Sequence, residues 1–254
     1  MRRQRTDAAG PPVGKVAESA GQPVESTSET AKSPLDAAVV TAEPRLRGWL
    51  HAGWTPVVAV ACTVLVALAP TGAPRWTSLV FGLTAVALFG TSAVYHRGRW
   101  STPARTWLRR LDHSNIFLVI VGSYTPLTAL LLPSRQAAML LIAVWSGALI
   151  GVGLKLFAPT LPRWVTVPIY LALGWVAVAF LPQFLANGGP GVLALVVAGG
   201  LLYTAGGLVY ASKWPDPSPR WFGFHEVFHT FTVLAFGCHF AAIAWVVLGR
   251  QPTS

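Results

Sequence analysis

His225 and His229 stand four residues apart at the start of the last hydrophobic segment of the chain. On a helix this spacing stacks both imidazoles on one face, about 6 Å apart along the axis. An apolar segment gains nothing from two stacked imidazoles, whereas metal ligation explains them, because neutral histidine is a common nitrogen ligand of zinc. The five residues His225-Glu226-Val227-Phe228-His229 also spell H-E-x-x-H. In a metalloprotease helix of that form the histidines bind zinc and the glutamate is the general base. Two chemistries therefore start from the same residues.

A catalytic zinc takes three protein ligands and keeps a fourth position for water, whose pKa falls to about 7. His96 supplies a third nitrogen, completing the candidate set His96, His225 and His229. Asp112 could bind or orient the water and act as general base; its alternative is a salt bridge to Arg109 or Arg110. Ser92 lies one turn before His96 on the same helix face. It either hydrogen-bonds the site or bonds back to a carbonyl of its own helix. In zincin proteases a third ligand follows the motif downstream. Here the next histidine, His239, comes without a glycine-spaced extension. It lies about 15 Å deeper than His229, too far for the same metal, and is expected to make an interhelical hydrogen bond. Glu226 points about 100° around the helix from His225 and reads otherwise as an interfacial carboxylate facing cytoplasmic lysines and arginines. His51 and His113 are expected at the interface, where a solvated histidine costs little. Cys62 and Cys238 fall inside apolar runs and read as small buried hydrophobes, not as ligands or a disulfide.

The elements that must position these residues are apolar. Of 254 residues, 53% are hydrophobic and 11% charged, whereas a soluble domain carries roughly 25% charged residues. The net charge of +10 does not indicate nucleic acid, because the basic residues sit between apolar segments with no soluble domain to display them. No Lys, Arg, Asp or Glu occurs from Gly48 to Pro74, Trp76 to His96, His113 to Ser134, Gln136 to Leu154, Trp164 to Ser212, or Val227 to Gly249. The fifth stretch holds 49 residues, and Asn187-Gly188-Gly189-Pro190-Gly191 divides it. A bilayer core about 30 Å thick needs about 20 apolar residues per helix. The expectation is an all-α membrane protein, a bundle of seven transmembrane helices over residues 45–250. Residues 1–44 hold six of the nine acidic residues amid Pro, Ser, Thr, Gly and Ala, and are expected to form a disordered cytoplasmic tail. They lack the apolar core of a secretory signal.

Basic residues alternate between the two sets of connections. Eleven lie on one side (Arg45, Arg47, Arg97, Arg99, Arg105, Arg109, Arg110, Lys155, Arg163, Lys213, Arg220) and three on the other (Arg75, Arg135, Arg250). The positive-inside rule then puts the N-terminus in the cytoplasm and the C-terminus outside. That orientation brings His96, Asp112, His225 and His229 to one membrane depth near the cytoplasmic face.

Ser92-Ala93-Val94-Tyr95-His96, Arg110-Leu111-Asp112-His113-Ser114, Gly122-Ser123-Tyr124-Thr125-Pro126, and His225 to His229 with His239 beyond together resemble the hemolysin III family. That family groups with the progestin and adiponectin receptors, in a superfamily that includes alkaline ceramidases. The resemblance covers roughly residues 46–248. It implies seven helices with a cytoplasmic N-terminus, and zinc held by His96, His225 and His229. It further implies that Asp112 contacts the water at the metal, with Ser92 nearby. Ser123 stands where the family commonly has Thr. The residue after the first histidine of the last motif is not restricted to Glu in the family, which makes Glu226 incidental to the chemistry.

The resulting expectation is a multi-pass protein of the cell membrane that acts on membrane lipids. Its activity would be zinc-dependent, ceramidase-like hydrolysis of a lipid amide or ester in membrane-lipid homeostasis. The alternatives are a membrane sensor, receptor-like or cytolytic protein with a structural zinc, and an intramembrane H-E-x-x-H metalloprotease. A released pore-former would need a water-soluble state, which so many apolar spans oppose. A retinal pump would need a Schiff-base lysine, and none lies between Phe222 and Gly249.

Overall fold

An apolar run that must satisfy every backbone N–H and C=O without water folds as a helix. The computed structural model describes residues 44–158 and 160–249. Its helices are α1 (Trp49–Leu68), α2 (Ala73–Arg97), α3 (Thr102–Leu131), α4 (Ser134–Phe157), α5 (Arg163–Trp175), α6 (Leu181–Ser212) and α7 (Phe224–Leu248). Among the described residues β-structure is limited to an isolated bridge between Ser218 and Phe222. Six stretches are long and apolar enough to cross a membrane, with Arg163–Ser212 counting as one run of 50 residues. The tail expected over residues 1–44 lies, apart from Pro44, outside the described residues.

The long run is interrupted twice. The break expected within Asn187–Gly191 falls at Gly189, whose φ of 82° and ψ of 171° suit only glycine, immediately before Pro190. The other interruption, the 3-10 segment Val176–Phe180, lies between Gly174 and Pro182. A tertiary contact meets it there. The Tyr124 hydroxyl from α3 lies 2.8 Å from the Gly174 carbonyl oxygen and accepts the Ala177 N–H at 2.7 Å. One phenol thus meets backbone groups that the helix leaves unpaired.

Neighbouring helices pack in sequence, and α7 closes the bundle against α6, α1, α2 and α3. The core of the bundle is α3, buried almost continuously from Val119 to Leu131. Phe81 and Phe89 of α2 stack and edge-pack on Phe236 of α7, with ring centroids 5.4 and 5.2 Å apart. These contacts bind the two helices that carry the histidines. Large side chains on the outer faces, among them Val60, Met139, Ile142 and Ile150, are exposed. A water-soluble chain rarely presents such a belt; here it is the surface that lipid covers.

The segment before α1 is tied to the connection before α7. Arg45 N–H donates to the Arg220 carbonyl at 3.0 Å and Leu46 N–H to that of Trp221 at 3.2 Å. The chain then turns through Gly48 at φ 75°. A Cβ there would come within 2.5 Å of the His96 Cβ, so the glycine is required by close approach as well as by its dihedral.

Candidate metal centre

Four elements deliver the polar residues to one end of the bundle. His96 ends α2, Asp112 lies in the third turn of α3, His225 and His229 occupy the first two turns of α7, and His51 opens α1. His96, His225 and His229 each offer one ligand atom, and these atoms lie within 4.8 Å of one another. The Nε2 atoms of His225 and His96 are 3.1 Å apart. His225 and His229 are buried and His96 half-buried. Two ring nitrogens this close either share a proton or turn both lone pairs toward one cation, and a third imidazole beside them favours the cation. The arrangement can hold a metal ion.

Asp112 is buried, and its Oδ2 lies 4.0 Å from His96 Nε2. The alternative salt bridge to Arg109 or Arg110 does not form; Arg110 instead donates to the Leu156 carbonyl at 3.0 Å. The Ser92 hydroxyl stands beside the Asp112 carboxyl. It makes no full hydrogen bond within the protein, so it is not spent on a carbonyl of its own helix. A buried carboxyl next to a donor and a histidine cluster is placed to handle a proton.

The remaining titratable groups divide differently from expectation. His51 is not solvated at the interface: it is 3% exposed, and its ring stacks on His229. Glu226 makes no ion pair within 4.0 Å with a lysine or arginine among the described residues. It is 2% exposed, and its Oε2 accepts the Gly223 N–H at 2.9 Å, capping α7. His239 makes the expected interhelical contact, with Nε2 3.2 Å from the Val196 carbonyl of α6. Cys62 and Cys238 are both free. His51 was detectable in principle, because α1 enters the bundle at the same end as the cluster.

Two cavities meet at the cluster. An apolar one of about 160 Å³ runs inward from His225, His229 and Asp112 between α3, α5, α6 and α7. A polar one of about 340 Å³ lies over His96, Asp112 and His225 and is walled by arginines.

A bundle of lipid-covered helices with three converging imidazoles defines the class: a multi-pass integral membrane protein of the cell membrane with a cluster able to hold a metal ion. The chain belongs to the Haemolysin-III related family, whose pattern it matches over residues 40–240, within the superfamily of the progestin and adiponectin receptors. It is 31% identical over 135 residues to a Hemolysin-3 homolog of Bacillus subtilis (strain 168), covering 53% of this chain and 62% of that protein. It is 31% identical over 140 residues to a Hemolysin-3 of Bacillus cereus, covering 54% and 60%. The matches thus span about three fifths of the length of these bacterial relatives. A plant relative, the Heptahelical transmembrane protein ADIPOR2 of Oryza sativa subsp. japonica, is 31% identical over 198 residues, covering 71% of this chain and 86% of that protein.

Proposed function

We propose that this chain is a zinc-dependent hydrolase of a lipid amide or ester, acting at the cytoplasmic leaflet and serving membrane-lipid homeostasis. The carrying observation is the position of Asp112, beside three clustered imidazoles at the junction of an apolar and a polar cavity. Its framework is seven crossings with the N-terminus in the cytoplasm and the C-terminus outside. At 1.5 Å per residue a 50-residue apolar run is more than twice the bilayer core, so it supports two crossings beside the five others. The plant relative's name gives that protein seven helices, which supports the same number.

Zinc fits the donors. Nitrogens bound to a tetrahedral zinc stand roughly 3.4 Å apart, close to the 3.1 Å between His225 and His96 Nε2. His229 Nδ1 is buried and has no protein partner. A zinc held by His96, His225 and His229 would supply a Lewis acid for a carbonyl oxygen and water with a pKa near 7. Asp112 takes the proton of the attacking water and delivers it to the leaving nitrogen or oxygen. The water oxygen joins the acyl carbon as the C–N or C–O bond breaks, releasing a carboxylic acid with an amine or alcohol. The uncommitted Ser92 hydroxyl is available to the Asp112 carboxyl beside it, and the apolar cavity takes the acyl chain while excluding bulk water.

Purified wild-type protein is expected to retain zinc and to release fatty acid from at least one lipid amide or ester, and His225→Ala to do neither. Zinc-free wild type, or zinc-loaded protein inert toward every such lipid, would overturn this reading. A second reading, a sensor in which zinc only ties α2 to α7, draws on the origin of the ligands in distant helices. Structural zinc sites usually close with four protein ligands, and the described cluster offers three. The protease reading is weakened, because the Glu226 Oε2 accepts the Gly223 N–H as a helix cap while Asp112 stands beside the histidines.

A further inference from the structure

The polar cavity over the histidines is lined by five cations, Arg47, Arg109, Arg110, Lys155 and Arg163, against one carboxylate, Asp112. They come from the segment before α1 and from α3, α4 and α5. Among the described residues the sole approach of a carboxylate to a basic group within 4.0 Å is that of Asp112 to His96. None of the five cations therefore has an acidic partner there. Lys155 is the decisive residue. It is 6% exposed, it lines both the polar and the apolar cavity, and among the described residues its ammonium has no hydrogen-bond acceptor. Its stem is packed away while its nitrogen opens onto the cavities, so the ammonium is free to meet an anion there.

Two of the guanidiniums are already fixed. Arg163 lies 4.6 Å from the Tyr210 ring centroid and donates to the Tyr210 carbonyl at 3.3 Å. Arg110 donates to the Leu156 carbonyl at 3.0 Å and lies over the Trp107 ring. Each guanidinium has five N–H donors, so these anchors hold the group and leave most donors for a ligand. The general excess of cytoplasmic cations does not account for the cavity, because residues such as Arg97, Arg99 and Arg220 supply surface charge without lining it. A fatty-acid carboxylate brings one charge and two oxygens, which one arginine matches. A phosphate brings up to two charges and three acceptor oxygens, which suits several cations.

We propose that this cavity holds a phosphate-bearing lipid head group, so that the lipid taken by the site is an acyl lipid with phosphate near its acyl carbonyl. The proposal rests on the site being one that binds lipid. Lys155 sits at the junction, where the head group passes from the cationic mouth to the apolar cavity. Six residues line both cavities, Asp112, His113, Lys155, Thr166, Tyr210 and His225. A lipid spanning that junction presents its carbonyl to the histidines.

The test is binding, which is independent of turnover. Full-length protein in detergent is titrated with monooleoyl lysophosphatidic acid, oleic acid, monoolein and inorganic phosphate, with occupancy read by native mass spectrometry. Lysophosphatidic acid is expected to bind at least about tenfold more tightly than monoolein and oleic acid, with inorganic phosphate alone weaker still. Lys155→Met and Arg163→Gln should remove that preference, lowering lysophosphatidic acid affinity at least about tenfold more than monoolein affinity, and Arg99→Gln should preserve it. Equal binding of lysophosphatidic acid and monoolein would overturn the proposal, as would oleic acid binding as well as lysophosphatidic acid. Inorganic phosphate binding as tightly as the lipid would overturn the lipid assignment. Should Lys155→Met fail to fold, the ranking of the four probes on wild type decides alone. Loss of hydrolysis with the phosphate preference intact would overturn only the hydrolase reading.

Discussion

His51 and His229 stack face to face, their ring centroids 3.8 Å apart and their planes inclined by 3°. On its other side His51 meets the edge of Phe89, with centroids 4.9 Å apart. The imidazole of α1 is thus a spacer between an aromatic core residue and one member of the histidine cluster. Neither of its ring nitrogens has a protein partner, so its contribution to His229 is the ring face.

Removing that face should loosen His229. His51→Ala is expected to lower zinc affinity about tenfold or more, the range typical of groups that orient metal-binding histidines. His51→Phe, which keeps a flat ring, should retain most of it. Competition against a chromophoric zinc chelator measures both; equal affinity of His51→Ala and wild type would show that the stack is idle.

Asp112 and the histidines can be separated. Asp112→Asn keeps the volume and removes the base, so zinc content should match wild type while lipid hydrolysis falls by about 10²–10⁴. Metal analysis and fatty-acid release on the same preparation check it. A variant that loses zinc would make Asp112 a ligand; one that keeps full turnover would remove it from the chemistry.

The helices were legible because absence of charge is a one-dimensional signal. The meeting of His96, Asp112, His225 and His229 was legible because cation asymmetry assigns each residue to one end of the bundle. The end of the bundle that His51 occupies was legible too, but not its burial, which comes from packing on Phe89 and His229 of other helices. The 3-10 segment at Val176–Phe180 was only partly legible: Gly174 and Pro182 flank it, but the Tyr124 hydroxyl that bonds its Ala177 N–H is more than fifty residues away in sequence. Glu226 could have been read correctly. A glutamate three residues after the residue that precedes a helix is the carboxylate half of a capping box, although Gly223 is not a usual partner.

Gly48 offers a way to disturb His96 without touching any histidine. Alanine there must adopt φ 75°, a strain of about 1–2 kcal/mol, and its Cβ would meet the His96 Cβ. Gly48→Ala is expected to reduce zinc occupancy and melting temperature together. Gly53→Ala, in helix α1 with nothing within 4 Å of the added Cβ, should leave zinc occupancy unchanged. Metal analysis of the pair, with thermal unfolding in detergent, distinguishes local pressure on His96 from a general effect of adding methyl groups.

Glu226 is the residue on which the protease and lipid-hydrolase readings make opposite claims. As a protease base its carboxylate must be ionised and free to take a proton; as a cap it needs only an oxygen that accepts the Gly223 N–H, 2.9 Å from Oε2. Glutamine keeps that acceptor and cannot act as base. Glu226→Gln should therefore retain zinc and nearly all lipid hydrolysis, whereas Glu226→Ala should destabilise α7 by about 1 kcal/mol, the usual cost of a lost cap. Fatty-acid release by the glutamine variant and thermal unfolding of the alanine variant read the two roles independently. A collapse of turnover in Glu226→Gln, with zinc still bound, would return the base to Glu226 and remove the proton from Asp112.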